Sequence, residues 1–83
     1  MDFKQIEAFV SVVKHRSFSK AADATFVTQP TISTHVLSLE RELGVTLILR
    51  GAKEALPTPQ GRIFYKYAAG MLATREKAAY SLG

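Results

Sequence analysis

Cysteine is absent from the 83-residue sequence, and so is any long apolar run. Without thiols, the chain can form neither a disulfide framework nor a thiolate-based metal site. No apolar stretch approaches the roughly 20 residues that a membrane-spanning helix needs. The start, MDFKQIEAFV, lacks the basic-then-apolar order of a signal peptide. These absences favour a soluble, cytoplasmic protein without a membrane partner.

Acidic residues are missing from the middle of the chain, where no Asp or Glu occurs from residue 24 to residue 39. Over the whole chain, 11 Lys and Arg against 7 Asp and Glu give a net charge of +4. A basic balance of this size favours an anionic partner but does not prove one.

Residue patterns typical of catalysis are also missing. No nucleophile stands beside a base, no carboxylate pair clusters outside ordinary helix faces, and no glycine-rich phosphate loop occurs. His15 is the only other histidine, and no carboxylate lies at the spacing from His35 that a metal site needs. We therefore expect no enzyme activity, no metal site and no cofactor.

Apolar residues at helical spacing predict two short helices at the start of the chain. The first covers about residues 3–14, with Asp2 as its cap. The second begins at a cap formed by Ser17 or Ser19 and turns two adjacent alanines toward the core. A turn follows near residues 25–27.

The third helix is the most informative element. Thr28 caps it, Pro30 lies in its first turn where a missing N–H costs nothing, and Gly44 ends it. Its outer side offers hydroxyls, an amide and no carboxylate, which suits contact with a polyanion and points to DNA. Its buried stripe consists of Ile32, Val36, Leu39 and Leu43.

Two short apolar segments follow and flank a basic stretch. Residues 46–49 and 55–56 predict a small β-hairpin, with Pro57 closing it because proline cannot continue a paired strand interior. We expect Arg50 and Lys53 at the tip of this hairpin.

A last helix, capped by Thr58, should continue to about Leu82 as a rod of about 35 Å. The helix carries two apolar rows, and it is longer than the rest of the domain. An 83-residue chain therefore cannot bury both rows. We expect a second copy of the chain to cover the excess. The predicted dimer contacts are Ile63, Tyr67, Met71, Ala78 and Leu82.

Together these parts resemble the amino-terminal domain of LysR-type transcriptional regulators. The resemblance covers essentially the whole chain, and its specific part is V-T-Q-P-T-I-S followed by L-E-R-E-L-G-V. It is continued by S-F-S-K-A-A, L-I-L-R and L-P-T-P-Q-G. It implies a mainly α fold: a winged helix-turn-helix of three helices and a short hairpin wing over residues 1–57, then a linker and dimerisation helix over residues 58–83. The family's effector-binding domain is not present in this chain.

The resemblance implies sequence-specific binding to double-stranded DNA, with the helix over residues 28–43 in the major groove and the wing near Arg50 at the minor groove. It also implies a cytoplasmic, nucleoid-associated homodimer on an inverted-repeat site, and it allows a tetramer in the full-length protein. A small-molecule effector would bind only through the missing domain. The predicted DNA contacts are Thr28, Gln29, Pro30, Thr31, Ser33, Thr34, Leu37, Arg50, Lys53, Arg16 and Lys20.

Several positions depart from the family pattern. Thr25 replaces a leucine that normally packs between the first helices, so the core is either thinned or repacked by Phe26. Thr34 and His35 replace a common Arg-Gln pair, and the family's arginine contact is therefore not carried over. Gln29 either pairs with an adenine edge or bonds only to the turn.

The main rival interpretation is a winged helix for protein–protein contact or dimerisation, without a DNA role. Its signature would be an apolar outer face on the third helix, and only Leu37 points that way.

Overall fold

The computed structural model describes all 83 residues. The elements in chain order are α1 (Phe3–His15), α2 (Phe18–Thr25), α3 (Gln29–Leu43), β1 (Ile48–Leu49), β2 (Leu56–Pro57) and α4 (Pro59–Leu82). This order confirms the predicted fold, a mainly α winged helix-turn-helix followed by one long helix. No helix combines the length and the apolar character needed to cross a membrane.

Side-chain caps set the starts of the four helices. Asp2 caps α1, Thr28 caps α3 and Thr58 caps α4, as the sequence predicted. At α2 the cap is Ser17, and Ser19 lies inside the helix. Each cap gives a hydrogen-bond acceptor to an N–H that has no partner within the helix, and each contributes about 1 kcal/mol.

The core lies between α1, α2, α3 and the first part of α4. The Phe9 ring of α1 is fully buried, with centroid distances of 5.6 Å to Phe64 and 6.4 Å to Tyr65 of α4. Ala68 of α4 is buried in the same cluster. The predicted boundary between residues 57 and 58 therefore does not separate two cores, because α4 shares the core of the first three helices.

Two residues other than glycine adopt the left-handed conformation, Arg16 and Phe26, each directly after a helix. Phe26 does not repack the core, since it is 95% exposed. Thr25 is half-buried, and its hydroxyl donates to the carbonyl of Ala21 in its own helix at 2.8 Å. Of the two alternatives for this part of the core, repacking by Phe26 is therefore wrong.

The wing is shorter than predicted. β1 and β2 pair antiparallel through only two residue pairs, Ile48 with Pro57 and Leu49 with Leu56. Pro57, which we expected to close the hairpin, is itself a strand residue. Proline is tolerated there because β2 has no neighbour on its other edge.

A buried carboxylate joins the wing to α3. Glu40 Oε2 accepts hydrogen bonds from the backbone N–H groups of Leu47 at 2.7 Å and Ile48 at 3.2 Å. Glu40 Oε1 lies 3.0 Å from Arg50 Nη1, and the Glu40 side chain is only 9% exposed. The Arg50 guanidinium also lies 5.4 Å from the centre of the Phe18 ring. One side chain thus fixes the wing to the second half of α3.

The junction of the wing and α4 is closely packed. The Thr58 N–H donates to the Leu47 carbonyl at 2.9 Å, and the Thr58 hydroxyl donates to the Thr46 carbonyl at 2.6 Å. A Cβ added to Gly61 would lie 2.1 Å from the Leu47 carbonyl oxygen. Only glycine allows the first turn of α4 to approach β1 this closely.

Further along the rod, a second tether joins α4 to α1. Arg75 Nη1 lies 2.6 Å from Glu7 Oε1, and its guanidinium lies 4.9 Å from the centre of the Phe3 ring. Beyond Arg75 the rod extends past the body, with exposed side chains to its end. At 24 residues, α4 is about 36 Å long.

The end of α3 is held against the start of α1 by charge. The ammonium group of Met1 pairs with the Glu42 carboxylate, to which the Gln5 amide also donates at 3.2 Å. The hydrogen bond from the ammonium and then that from Gln5 lower the pKa of Glu42 below its usual value.

We predict that Gly61→Ala destabilises the chain by about 3 kcal/mol, because the new methyl group collides with backbone rather than with a movable side chain. The matched control is Gly70→Ala in the same helix, where an added Cβ meets nothing within 4 Å. That change should stabilise the helix by about 0.5–1 kcal/mol. Urea unfolding of both variants measures the difference, and equal effects would contradict the close-packed junction.

We predict that Glu40→Ala lowers the free energy of unfolding by about 3 kcal/mol, because it leaves two N–H groups and a guanidinium without their acceptor. Glu40→Gln keeps an uncharged acceptor and should lose about half as much. Glu76→Ala, which removes an exposed carboxylate of α4, should change stability by less than about 0.5 kcal/mol. If Glu40→Ala unfolds in urea like Glu76→Ala, the carboxylate does not anchor the wing.

Candidate nucleic-acid interface

The outer face of α3 carries most of the predicted contact residues. Thr28, Gln29, Pro30, Thr34 and Leu37 are exposed. The two others, Thr31 and Ser33, are half-buried. Thr31 is partly engaged within the helix end, since its hydroxyl lies 2.9 Å from the Thr28 hydroxyl and its N–H donates to the same atom at 3.4 Å.

Negative charge is absent from this face. The first carboxylate of α3 is Glu40, and its oxygens are turned inward to the wing. The unpaired N–H groups in the first turn of α3 add the positive end of a helix dipole. An anion can therefore approach the start of α3 without meeting a like charge on that helix.

A cleft of about 330 Å³ lies between the start of α2, the first turns of α3 and the wing. It brings together five of the predicted residues from three separate parts of the chain. They are Arg16, Gln29, Ser33, Arg50 and Lys53. Among the predicted residues, the cleft therefore combines an amide and a hydroxyl with three cations, and the Glu54 carboxylate also lines it.

The two cations of the wing differ in availability. Arg50 directly follows β1 at the base of the wing, not at its tip, and its guanidinium is bound to Glu40 and to the Ile48 carbonyl. Lys53 lies in the exposed loop and forms no ion pair. The sequence predicted both cations at the tip. Glu40 lies four residues after Val36 and so falls on the buried side of α3. Because a buried carboxylate normally pairs with a cation, its position was the sequence signal that a basic side chain would bind it.

The remaining predicted cations are exposed on the other side of the cleft. Arg16 ends α1, and its guanidinium lies 3.8 Å from the Glu54 carboxylate of the wing loop. Because both side chains are more than half exposed, this pair is weak and leaves Arg16 free to exchange partners. Lys20 is exposed on α2 but does not line the cleft.

The predicted dimer residues on α4 fall into two groups. Ile63, Tyr67 and Leu82 are 63%, 66% and 91% exposed, and Ala78 is exposed as well. Met71 is half-buried and packs against the core of its own chain, and it also lines a groove on α4.

Tyr67 lies between two grooves. The first, of about 330 Å³, is mostly apolar and includes Leu43, Val45 and Ile63. The second, of about 650 Å³, includes Phe3 and Met71. Lys66, Thr74 and Arg75 also line the second groove. One side of α4 thus carries a largely apolar surface, with charged residues at its edge and no partner in the chain. No group of three or more His, Cys, Asp or Glu side chains is arranged to hold a metal ion.

Residues 3–62 match the sequence model for the bacterial regulatory helix-turn-helix proteins of the lysR family. The chain is 41% identical over 73 residues to the HTH-type transcriptional regulator BenM of Acinetobacter baylyi, a match that covers 88% of this chain and 24% of BenM. It is 34% identical over 82 residues to the HTH-type transcriptional regulator CitR of Bacillus subtilis, which covers 99% of this chain and 28% of CitR. The chain spans about a quarter of the length of these curated relatives.

Solved structures agree with the sequence comparison. The BenM DNA-binding domain in complex with catB site 1 DNA superposes with a TM-score of 0.95 at 36% identity, covering 99% of this chain and 91% of that one. The CbnR DNA-binding domain in complex with DNA gives a TM-score of 0.91 at 28% identity, covering 98% and 93%. The matched family model covers more than half of the chain, and the fold agrees with it. This chain therefore belongs to the lysR family of bacterial regulatory helix-turn-helix proteins.

Proposed function

We propose that this chain binds double-stranded DNA as the DNA-binding part of a transcriptional regulator. The observation that carries the proposal is the cleft that joins Gln29 and Ser33 at the start of α3 to Arg16 and Lys53. The BenM and CbnR domains, which share the fold, are described as complexes with DNA, and this supports the same partner for this chain.

In the proposed mode, α3 enters the major groove with its amino-terminal end leading. The exposed amide of Gln29 offers one donor and one acceptor, the pattern that adenine presents at its edge. Ser33 and Thr34 supply hydroxyls for phosphates or bases. These neutral groups give fewer strong base contacts than an arginine would, so DNA shape should contribute to the choice of site.

The wing contacts the minor groove in this proposal, and Lys53 is its leading cation. Lys53 is exposed and unpaired, whereas Arg50 would have to leave Glu40 to reach DNA. Arg50 therefore contributes first by holding the wing in position. Arg16 and Lys20 contact the phosphate backbone on the other side.

We further infer that α4 pairs two copies of the chain. This inference is supported by the apolar surface around Ile63 and Tyr67, which no other part of the chain covers. Met71 contributes at the edge of the second groove. A two-fold pair of α3 helices would match an inverted-repeat site.

The proposed organisation assigns DNA reading to residues 1–57 and pairing to residues 58–83, within one shared core. The curated relatives are about four times as long as their matched part, which supports a larger regulator whose effector would bind outside these residues. Association with the nucleoid in the cytoplasm, and a tetramer in the full-length protein, follow as further expectations. The relatives are named as transcriptional regulators, not as enzymes.

The rival function, protein–protein contact through α3, has less support. Leu37 is 39% exposed, and it is isolated among polar side chains on the outer face of α3. A protein-binding helix would present a contiguous apolar patch there. An electrophoretic shift assay on mixed duplexes at low salt separates the two functions, and failure to bind any duplex would refute the DNA proposal.

We predict that Lys53→Ala weakens binding to all duplexes and reduces the slope of log K against log salt by about one unit, because one cation that neutralises phosphate charge along the minor groove is lost. The matched control is Lys77→Ala, which removes an exposed cation of α4 remote from the cleft. Fluorescence anisotropy titrations at several salt concentrations measure both slopes. An unchanged slope for Lys53→Ala would contradict the assignment of the wing.

We predict that Ile63→Glu weakens self-association at least about tenfold, because it places a charge in the apolar surface of α4. Arg62→Glu adds the same carboxylate at the adjacent exposed position, outside both grooves, and should leave self-association within about threefold of the wild type. Analytical ultracentrifugation over a concentration series compares them. Equal behaviour of the two variants would argue against pairing through this surface.

A further inference from the structure

Phe26 has two features that folding does not explain. It is the most exposed large hydrophobic residue of the chain, at 95%. Its backbone is left-handed, with φ 58° and ψ 38°, at the end of α2, where its N–H donates to the last carbonyls of that helix. The ring packs against no core residue.

Either feature alone would favour a different residue at this position. Glycine and asparagine adopt the left-handed conformation at helix ends with less strain than an aromatic residue. A small polar side chain would also avoid exposing a ring to water. The position is therefore poorly optimised for the isolated chain, and a ligand that covers the ring would account for it.

The position of Phe26 beside the start of α3 indicates which ligand would cover its ring. Phe26 lies two residues before Thr28, so their Cα atoms are at most about 7 Å apart. Val27, between them, lines a groove against α1. The exposed side chains that follow Phe26 are Thr28, Gln29 and Pro30, at the leading end of α3.

The surface beside the ring suits a polyanion better than a protein. No carboxylate occurs from residue 24 to residue 39, and the start of α3 carries the positive end of the helix dipole. The carboxylates that come nearest are Asp23, at the end of α2, and Glu7, which lines the groove beside Val27 on the α1 side. The major groove also offers one apolar group at the base edges, the C5 methyl of thymine, with which a phenylalanine can make contact.

We propose that Phe26 is a DNA-contact residue whose ring lies against a thymine methyl group beside the bases that α3 reads. This inference rests on the proposed DNA binding and adds a specificity-determining residue to it. Burial of the ring occurs only in the complex. Phe26 thus lowers the stability of the free chain and contributes to the recognition of thymine in the complex.

The test compares Phe26→Gly and Phe26→Asn with the wild type on the best duplex recovered from a random-sequence selection. Both variants suit a left-handed backbone, so their thermal unfolding midpoints should equal or exceed that of the wild type. Their affinity for the duplex should fall about tenfold. Tyr80→Ala, which removes an aromatic ring that is 88% exposed near the end of α4, is the matched control and should change affinity by less than about twofold.

A second measurement uses the same duplex with uracil in place of thymine, which removes only the methyl group. The wild type should bind the uracil duplex about fourfold more weakly at one position, as expected for one lost methyl contact. Phe26→Gly should bind both duplexes equally. This double comparison isolates the contact from any change in folding.

The outcomes separate the two proposals. A wild type that binds no duplex refutes the DNA function itself. A wild type that binds while Phe26→Gly binds equally well refutes the role of Phe26. A wild type indifferent to uracil at every position overturns the thymine assignment, and a variant that alters only self-association would place the ring in a contact between copies.

Discussion

The arrangement of α3 and the wing depends on the carboxylate of Glu40. The wing has only two residue pairs of its own, and the side chain that holds it to α3 accepts two backbone N–H groups and a guanidinium. Removing this acceptor would leave buried polar groups without partners. Glu40, on the inner side of α3, and the hydrogen bonds of Thr58 to Thr46 and Leu47 together hold the wing in place and so determine the shape of the cleft.

This arrangement divides the basic residues into two kinds. Arg50 belongs to the scaffold, because its charge is matched by Glu40 and its guanidinium rests on Phe18. Lys53 and Lys20 have no ion partner, and Arg16 has only a weak, exposed one. Net charge alone therefore overstates the cations available to a polyanion. The field in the cleft is shaped by a small number of exposed side chains beside a cation that is already paired.

The sequence predicted those parts of the fold that depend on neighbouring residues. Capping residues and the spacing of apolar residues are local features. They predicted that α3 and α4 begin after Thr28 and Thr58 and that α3 ends at Gly44. The partner of Glu40 was missed because it is ten residues away, in a loop without periodicity. The sequence did not decide whether Phe26 is buried in the core, because no sequence pattern predicts a left-handed backbone in a residue other than glycine.

The two-pair hairpin has a consequence for the order of folding. Strands this short are not stable alone, so the wing can form only after the end of α3 presents Glu40 and the start of α4 presents Thr58. The three helices around Phe9 pack directly on one another, and Ile48 of β1 completes the same core cluster. The wing is therefore the last unit to fold and the first to open locally, and its backbone amides should exchange with solvent faster than those of α1.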